Sequence, residues 1–129
     1  MELEFSYRAL KKIVENYYLK NEKLRVKFNY ELKEMYHGGF STNYFISYKE
    51  NINGVKYSGS HELSDDEMVD IFEDYLEPKG YDVRYLEPII SDETLFYIND
   101  YHLAGMKLIC NKKKNVSKTL KKVTNNTLS

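Results

Sequence analysis

The chain contains no tryptophan, a single cysteine, two prolines and no apolar run long enough to cross a bilayer as a helix. One thiol cannot form an internal disulfide, and Cys110, set in Leu108-Ile109-Cys110, reads as a small core residue. With no leader-like segment either, the expected setting is reducing and cytoplasmic, with no membrane partner. Catalytic and cofactor motifs are missing as well. The glycines form neither a dinucleotide fingerprint nor a phosphate loop. His37, His61 and His102 lie far apart, none with a metal-ligand spacing. His61 and Glu62 adjoin, but neighbours on a strand point to opposite faces. The expectation is a protein that is not an enzyme and uses no cofactor and no metal.

Acidic residues are absent from the C-terminal part: all twenty lie at or before Asp100. The formal net charge of −1 therefore hides three blocks, about +3 over residues 1–60, about −11 over 61–100 and about +7 over 107–129. Asymmetry of this kind describes partners more than it describes a fold.

What is plentiful is tyrosine, thirteen with six phenylalanines, which supplies large apolar bodies with polar tips for a core or a contact surface. At 129 residues and 42% hydrophobic, the chain suits one domain over 1–110, followed by a lysine-rich tail over 111–129. Leu10, Ile13, Val14, Tyr17 and Tyr18 recur at helical spacing and predict a helix over about 6–20, stopped at Asn21. The period then changes to two: Leu24, Val26, Phe28, Tyr30 and Leu32 alternate with charged and polar residues. Gly38-Gly39 ends that strand. Asn53-Gly54 accepts the positive φ angles of a type I′ turn and pairs Tyr44–Tyr48 with Val55–Leu63, so that Ile52 faces Val55 and Tyr48 faces Gly59.

Ser64-Asp65-Asp66-Glu67 is a capping box and starts a second helix. Met68, Ile71, Phe72, Tyr75 and Leu76 form its core face, and Pro78 with Gly80 ends it. Tyr81, Val83 and Tyr85 alternate as a strand ending near Pro88, and Leu95–Ile98 and Leu103–Cys110 read as two further strands joined around Asn99-Asp100, with a helical turn capped by Ser91-Asp92-Glu93 as the alternative to the first. The expected fold is α+β in the order α-β-β-β-α-β-β-β, an antiparallel-rich sheet with two helices packed on it. The opposite sheet face, bearing Lys27, Asn29, Glu31, Ser47 and Lys49, is expected to meet water.

Two charged surfaces are candidate sites. On the second helix Asp66, Asp70, Glu73 and Glu77 are spaced by four, three and four residues and form one stripe, with Asp74 beside it. A polar stripe opposite a core face is ordinary, but carboxylates in the last turns oppose the helix dipole at about 0.3–1 kcal/mol each. Helix stability alone would favour lysine there. Such a stripe suits the basic, nucleic-acid-binding site of another protein. In size and charge pattern, though in no motif, the chain resembles small phage-encoded inhibitors that imitate nucleic acid, which implies a protein-interaction module.

The second candidate is the tail. Lys112, Lys113, Lys114, Lys118, Lys121 and Lys122 are interleaved with Val116, Leu120 and Val123. It suits salt-sensitive phosphate binding and makes a nucleic-acid-binding accessory protein the rival reading. These lysines could instead fold back and screen the acidic helix.

Overall fold

Two serines set where the helices begin. The Ser6 and Ser64 hydroxyls accept from the backbone N–H groups of Ala9 and Glu67, each at 3.1 Å, satisfying donors that a helix N-terminus leaves without partners. The computed structural model describes residues 1–95 and 98–113. Strand β1 (Glu2–Ser6) runs directly into helix α1 (Tyr7–Glu22), followed by β2 (Val26–Glu34), β3 (Phe40–Ile52) and β4 (Val55–Leu63). Helix α2 (Asp65–Leu76), a 3-10 turn (Glu77–Lys79), β5 (Tyr81–Leu95) and β6 (Ile98–Lys112) complete the order. The fold is α+β, and its six strands form two antiparallel sheets of order β1-β6-β5 and β2-β3-β4.

Both sheets turn one face to the helices and share one core. Helix α1 packs on β2 and β6, α2 packs on β5, and the helices touch each other. Leu10 and Val14 from α1, Met68, Ile71 and Phe72 from α2, Phe28 and Ile46 from one sheet, and Leu103, Met106 and Leu108 from the other are almost completely buried. Side chains of this size contribute about 1.5–3 kcal/mol each when removed from water. The sheets meet where the Leu103 N–H donates to the Tyr30 hydroxyl at 3.1 Å and the Phe40 and Tyr101 rings pack with centroids 4.6 Å apart.

Much of the expected pattern is present. Asn53 and Gly54 take φ values of 52° and 82°, and the β3–β4 register pairs Ile52 with Val55 and Tyr48 with Gly59. Lys27, Asn29, Glu31, Ser47 and Lys49 are exposed on the uncovered side of the β2-β3-β4 sheet. Several features differ from expectation. The order opens on β1 and closes on two long strands, β-α-β-β-β-α-β-β, and the strands divide into two sheets where one was expected. Helix α1 ends not at Asn21 but at Lys23, in the left-handed region at φ 53°, its N–H bonded to the Tyr18 carbonyl. Tyr75 lies at the rim, under the Lys79 ammonium at 3.9 Å from the ring centroid. A bulge after Val83 reverses the alternation, so Tyr85 points to solvent and Leu86 packs on the core. Pro88 does not end β5, because β5 is an edge strand and a missing N–H costs little there. Asn99 and Asp100 consequently lie within β6, with Leu95 paired to Ile98.

Gly105 is where β1 hands over to α1. Its partner in the ladder is Ser6, and a Cβ at this position would collide with the Phe5 carbonyl oxygen. The obstacle is backbone, which cannot swing aside as a side chain does. Gly105→Ala is expected to lower unfolding free energy by about 1–3 kcal/mol, the usual cost of overpacking a tight site, read as a lower urea midpoint with unchanged slope. An unchanged midpoint would show that β1 does not need this close approach.

Candidate functional site

The capping box places the acidic helix. Besides the Ser64 hydroxyl bond, the Glu67 carboxylate accepts from the Ser64 N–H at 3.2 Å, and its second oxygen lies 2.8 Å from His61 Nε2 at the end of β4. This three-residue knot fixes the angle at which α2 leaves the sheet. The His61 hydrogen bond, followed in effect by the bonds from Ser64, holds the Glu67 carboxyl below the usual range.

With Met68, Ile71, Phe72 and Leu76 turned inward, helical geometry puts the carboxylates outward. Asp66 and Asp70 are exposed and Glu73 is partly exposed, and none of the three has an ion-pair partner among the described residues. The other two differ. Asp74 faces α1, with its carboxylate 3.6 Å from Lys20 Nζ. Glu77 caps the helix and lies 3.5 Å from Lys113 Nζ, which is also 3.6 Å from Asp82.

Lys113 reaches this position because β6 ends at Lys112 and the Lys113 N–H donates to the Gly80 carbonyl at 2.8 Å. The last turn of α2 holds no basic residue of its own, so the strand end supplies the cation that the helix dipole favours. One lysine expected in the tail thus screens the acidic helix. Lys112 belongs to β6, paired with Tyr81. Lys114, Lys118, Lys121 and Lys122 lie outside the described residues. The other acids of the middle block go elsewhere: Glu62 to the open face of the β2-β3-β4 sheet, opposite Phe45, and Glu87 to Lys107 at 3.9 Å.

Beside the stripe runs a groove of about 480 Å³ between the helices, lined by Lys12, Asn16, Tyr17, Lys20, Asp74 and Tyr75 among others. Partial burial raises the Tyr17 pKa, and the carboxylates of Asp74 and Asp70 raise it further, which places the phenol at the edge of the acidic surface. Sequence periodicity assigned Tyr17 only to the core face. A second cleft, of about 440 Å³, lies between β3, α2 and β5 and includes Tyr44, Asp65 and Arg84. Burial and the Asp65 carboxylate push the Tyr44 phenol up to about 12. Among the described residues no three His, Cys, Asp or Glu side chains gather as a metal site would require, and no described helix is long and apolar enough to cross a membrane.

Compared with models of known families, with curated proteins and with solved structures, the chain finds no match in any of the three.

The knot at Glu67 carries a pH dependence. Its folded pKa lies below the unfolded value of about 4.3, so its contribution is fully present above that value and is lost as pH falls through the folded one. Glu67→Gln should lower stability at neutral pH and flatten the loss of stability on the acid side. Ser64→Ala should cost about 1 kcal/mol. Urea midpoints between pH 3 and 7 (about the range that carboxylates span) test both. Parallel acid limbs for wild type and Glu67→Gln would remove Glu67 from the linkage.

Proposed function

We propose that this protein is a non-enzymatic interaction module that binds a basic, nucleic-acid-binding site on another protein through the outward side of α2. One observation carries the reading: Asp66, Asp70 and Glu73 lie on one helical stripe without lysine partners among the described residues, while the flanking Asp74 and Glu77 are each held by one. The two lysine bridges hold the C-terminal end of the stripe and its flank, and leave Asp66, Asp70 and Glu73 to an outside cation. Tyr17 and Tyr75, beside the same stripe, add the aromatic area that interfaces favour. By the same charge logic, a partner groove built for phosphates would accept these carboxylates, in the manner of inhibitors that displace nucleic acid.

Exposed ion pairs are worth about 0.2–1 kcal/mol each, so three of them supply at most about 3 kcal/mol and set encounter rate and selectivity more than total affinity. The test is capture of basic proteins from a nuclease-treated bacterial lysate, comparing wild type with Asp70→Lys/Glu73→Lys. The variant should lose partners that wild type retains, roughly tenfold or more in yield, and should melt at the same or a higher temperature because Glu73→Lys favours the helix dipole. Equal capture by both proteins contradicts the reading. So does loss of capture by a variant that has also unfolded, unless Asp70→Asn/Glu73→Gln, folded, reproduces it.

A further inference from the structure

On the far side of the molecule from this acidic helix stands a surface of opposite sign. In the β2-β3-β4 sheet the residues that alternate with the core positions face outward, and the register sets Lys27 beside Ser47, Ser47 beside Ser60, and Lys49 beside Ser58. Arg25 precedes the first paired residue, Val26, and Lys56 lies two residues before Ser58 on the same face. Arg25, Lys27, Lys49 and Lys56 are all exposed. None has an ion-pair partner among the described residues, whereas Lys11, Lys20, Lys107 and Lys113 each do. No carboxylate stands among the four cations, since Glu50 pairs with Tyr57 on the opposite side; Glu62 is the cross-strand neighbour of Phe45 and Glu31 lies diagonal to it, so the acids border the ring and not the cations.

Shape agrees with charge. A shallow cleft of about 440 Å³ is lined by Arg25, Lys27, Lys49, Ser47 and Ser58, with Val26, Tyr48 and Gly59 of the core-facing phase also touching it. It adjoins one of about 280 Å³ lined by Phe45, Asn29, Tyr30, Ser60 and Glu31, and the two share Ser47. Phe45, partly exposed, brings an aromatic ring to this outward face, two residues along the strand from Ser47 and so about 7 Å from the cationic end.

We propose that this open sheet face binds single-stranded nucleic acid, phosphates at Arg25, Lys27, Lys49 and Lys56 and a base laid on Phe45. Uncompensated cations with neighbouring serine hydroxyls make charge-assisted hydrogen bonds to phosphate oxygens. A ring one sheet step away offers a stacking platform that accepts any base, which a duplex, with its bases already stacked, does not need. An anionic membrane fits less well. The exposed apolar residues of this hairpin, Ile52 and Val55, continue the face of Tyr44, Ile46 and Tyr48, so a bilayer would meet either the lysines or the apolar pair. This surface and the α2 stripe share no residue, and either can fail while the other stands.

The test is fluorescence anisotropy of the full chain with a labelled single-stranded oligonucleotide of about 15 nucleotides, in about 50 mM salt and then in rising salt. Lys27→Glu/Lys49→Glu should weaken binding at least tenfold, and Lys27→Gln/Lys49→Gln should weaken it less while reducing the salt slope by about 0.7 per contact removed. Phe45→Ala should weaken binding severalfold with the salt slope unchanged, as loss of stacking does. All of these sites are at the surface, so melting temperatures should stay near wild type. The proposal is overturned if wild type does not bind the oligonucleotide. It is equally overturned if Lys118→Glu/Lys121→Glu abolishes binding while the sheet variants bind normally, or if phosphatidylserine vesicles are bound and the oligonucleotide is not.

Discussion

Among the described residues the core admits no charged side chain. Every other feature of the surface follows from that exclusion. An unpaired charge inside would cost several kcal/mol, so each ionisable group must leave by the outward phase of its element. On α2 the outward phase is a stripe along one side, and on the β2-β3-β4 sheet it is every second residue. The acids concentrated in the segment that forms α2 leave along its stripe, while Arg25, Lys27, Lys49 and Lys56 leave by the outward phase at one end of the β2-β3-β4 sheet, so two periodicities place these two sets of charge on separate surfaces.

The consequences for α2 are small in energy and large in character. Its first turn gains from Asp65, Asp66 and Glu67, and its last turn carries carboxylates that oppose the dipole. Lys20 and Lys113 answer two of the seven acidic side chains from Asp65 to Glu77, and both reach α2 from elsewhere in the chain. A bridge between exposed groups is worth under about 1 kcal/mol, so these pairs orient more than they stabilise. The helix is held instead by Met68, Ile71, Phe72 and Leu76 and by the Ser64–Glu67–His61 knot. The carboxylates left without lysine are therefore not required for the fold, which frees them for an outside partner.

Residue order revealed the local parts of this structure and hid the long-range ones. The capping box, the Asn53-Gly54 turn and the β3–β4 register are legible because their determinants lie within a few residues of one another. Strand β1 escaped notice because two inward residues, Leu3 and Phe5, are too few to declare a period. Tyr85 was misread because a bulge shifts phase without leaving a composition signal. The division into two sheets depends on contacts such as Leu103 with Tyr30, seventy-three residues apart, which no window along the sequence contains. Of the acidic surface, the stripe was visible and its screening was not: Lys20 and Lys113 face Asp74 and Glu77 only once the chain has folded.

The most direct measurement of the central claim is nuclear magnetic resonance titration of the protein with a short arginine-rich peptide, which mimics a basic groove without requiring its identity. Amide shifts centred on Asp66, Asp70 and Glu73 and extending to Tyr17, reversed by salt, are the expected result. Shifts that spread evenly over all exposed carboxylates, or that centre on Glu31 and Glu62 while α2 stays silent, would contradict it.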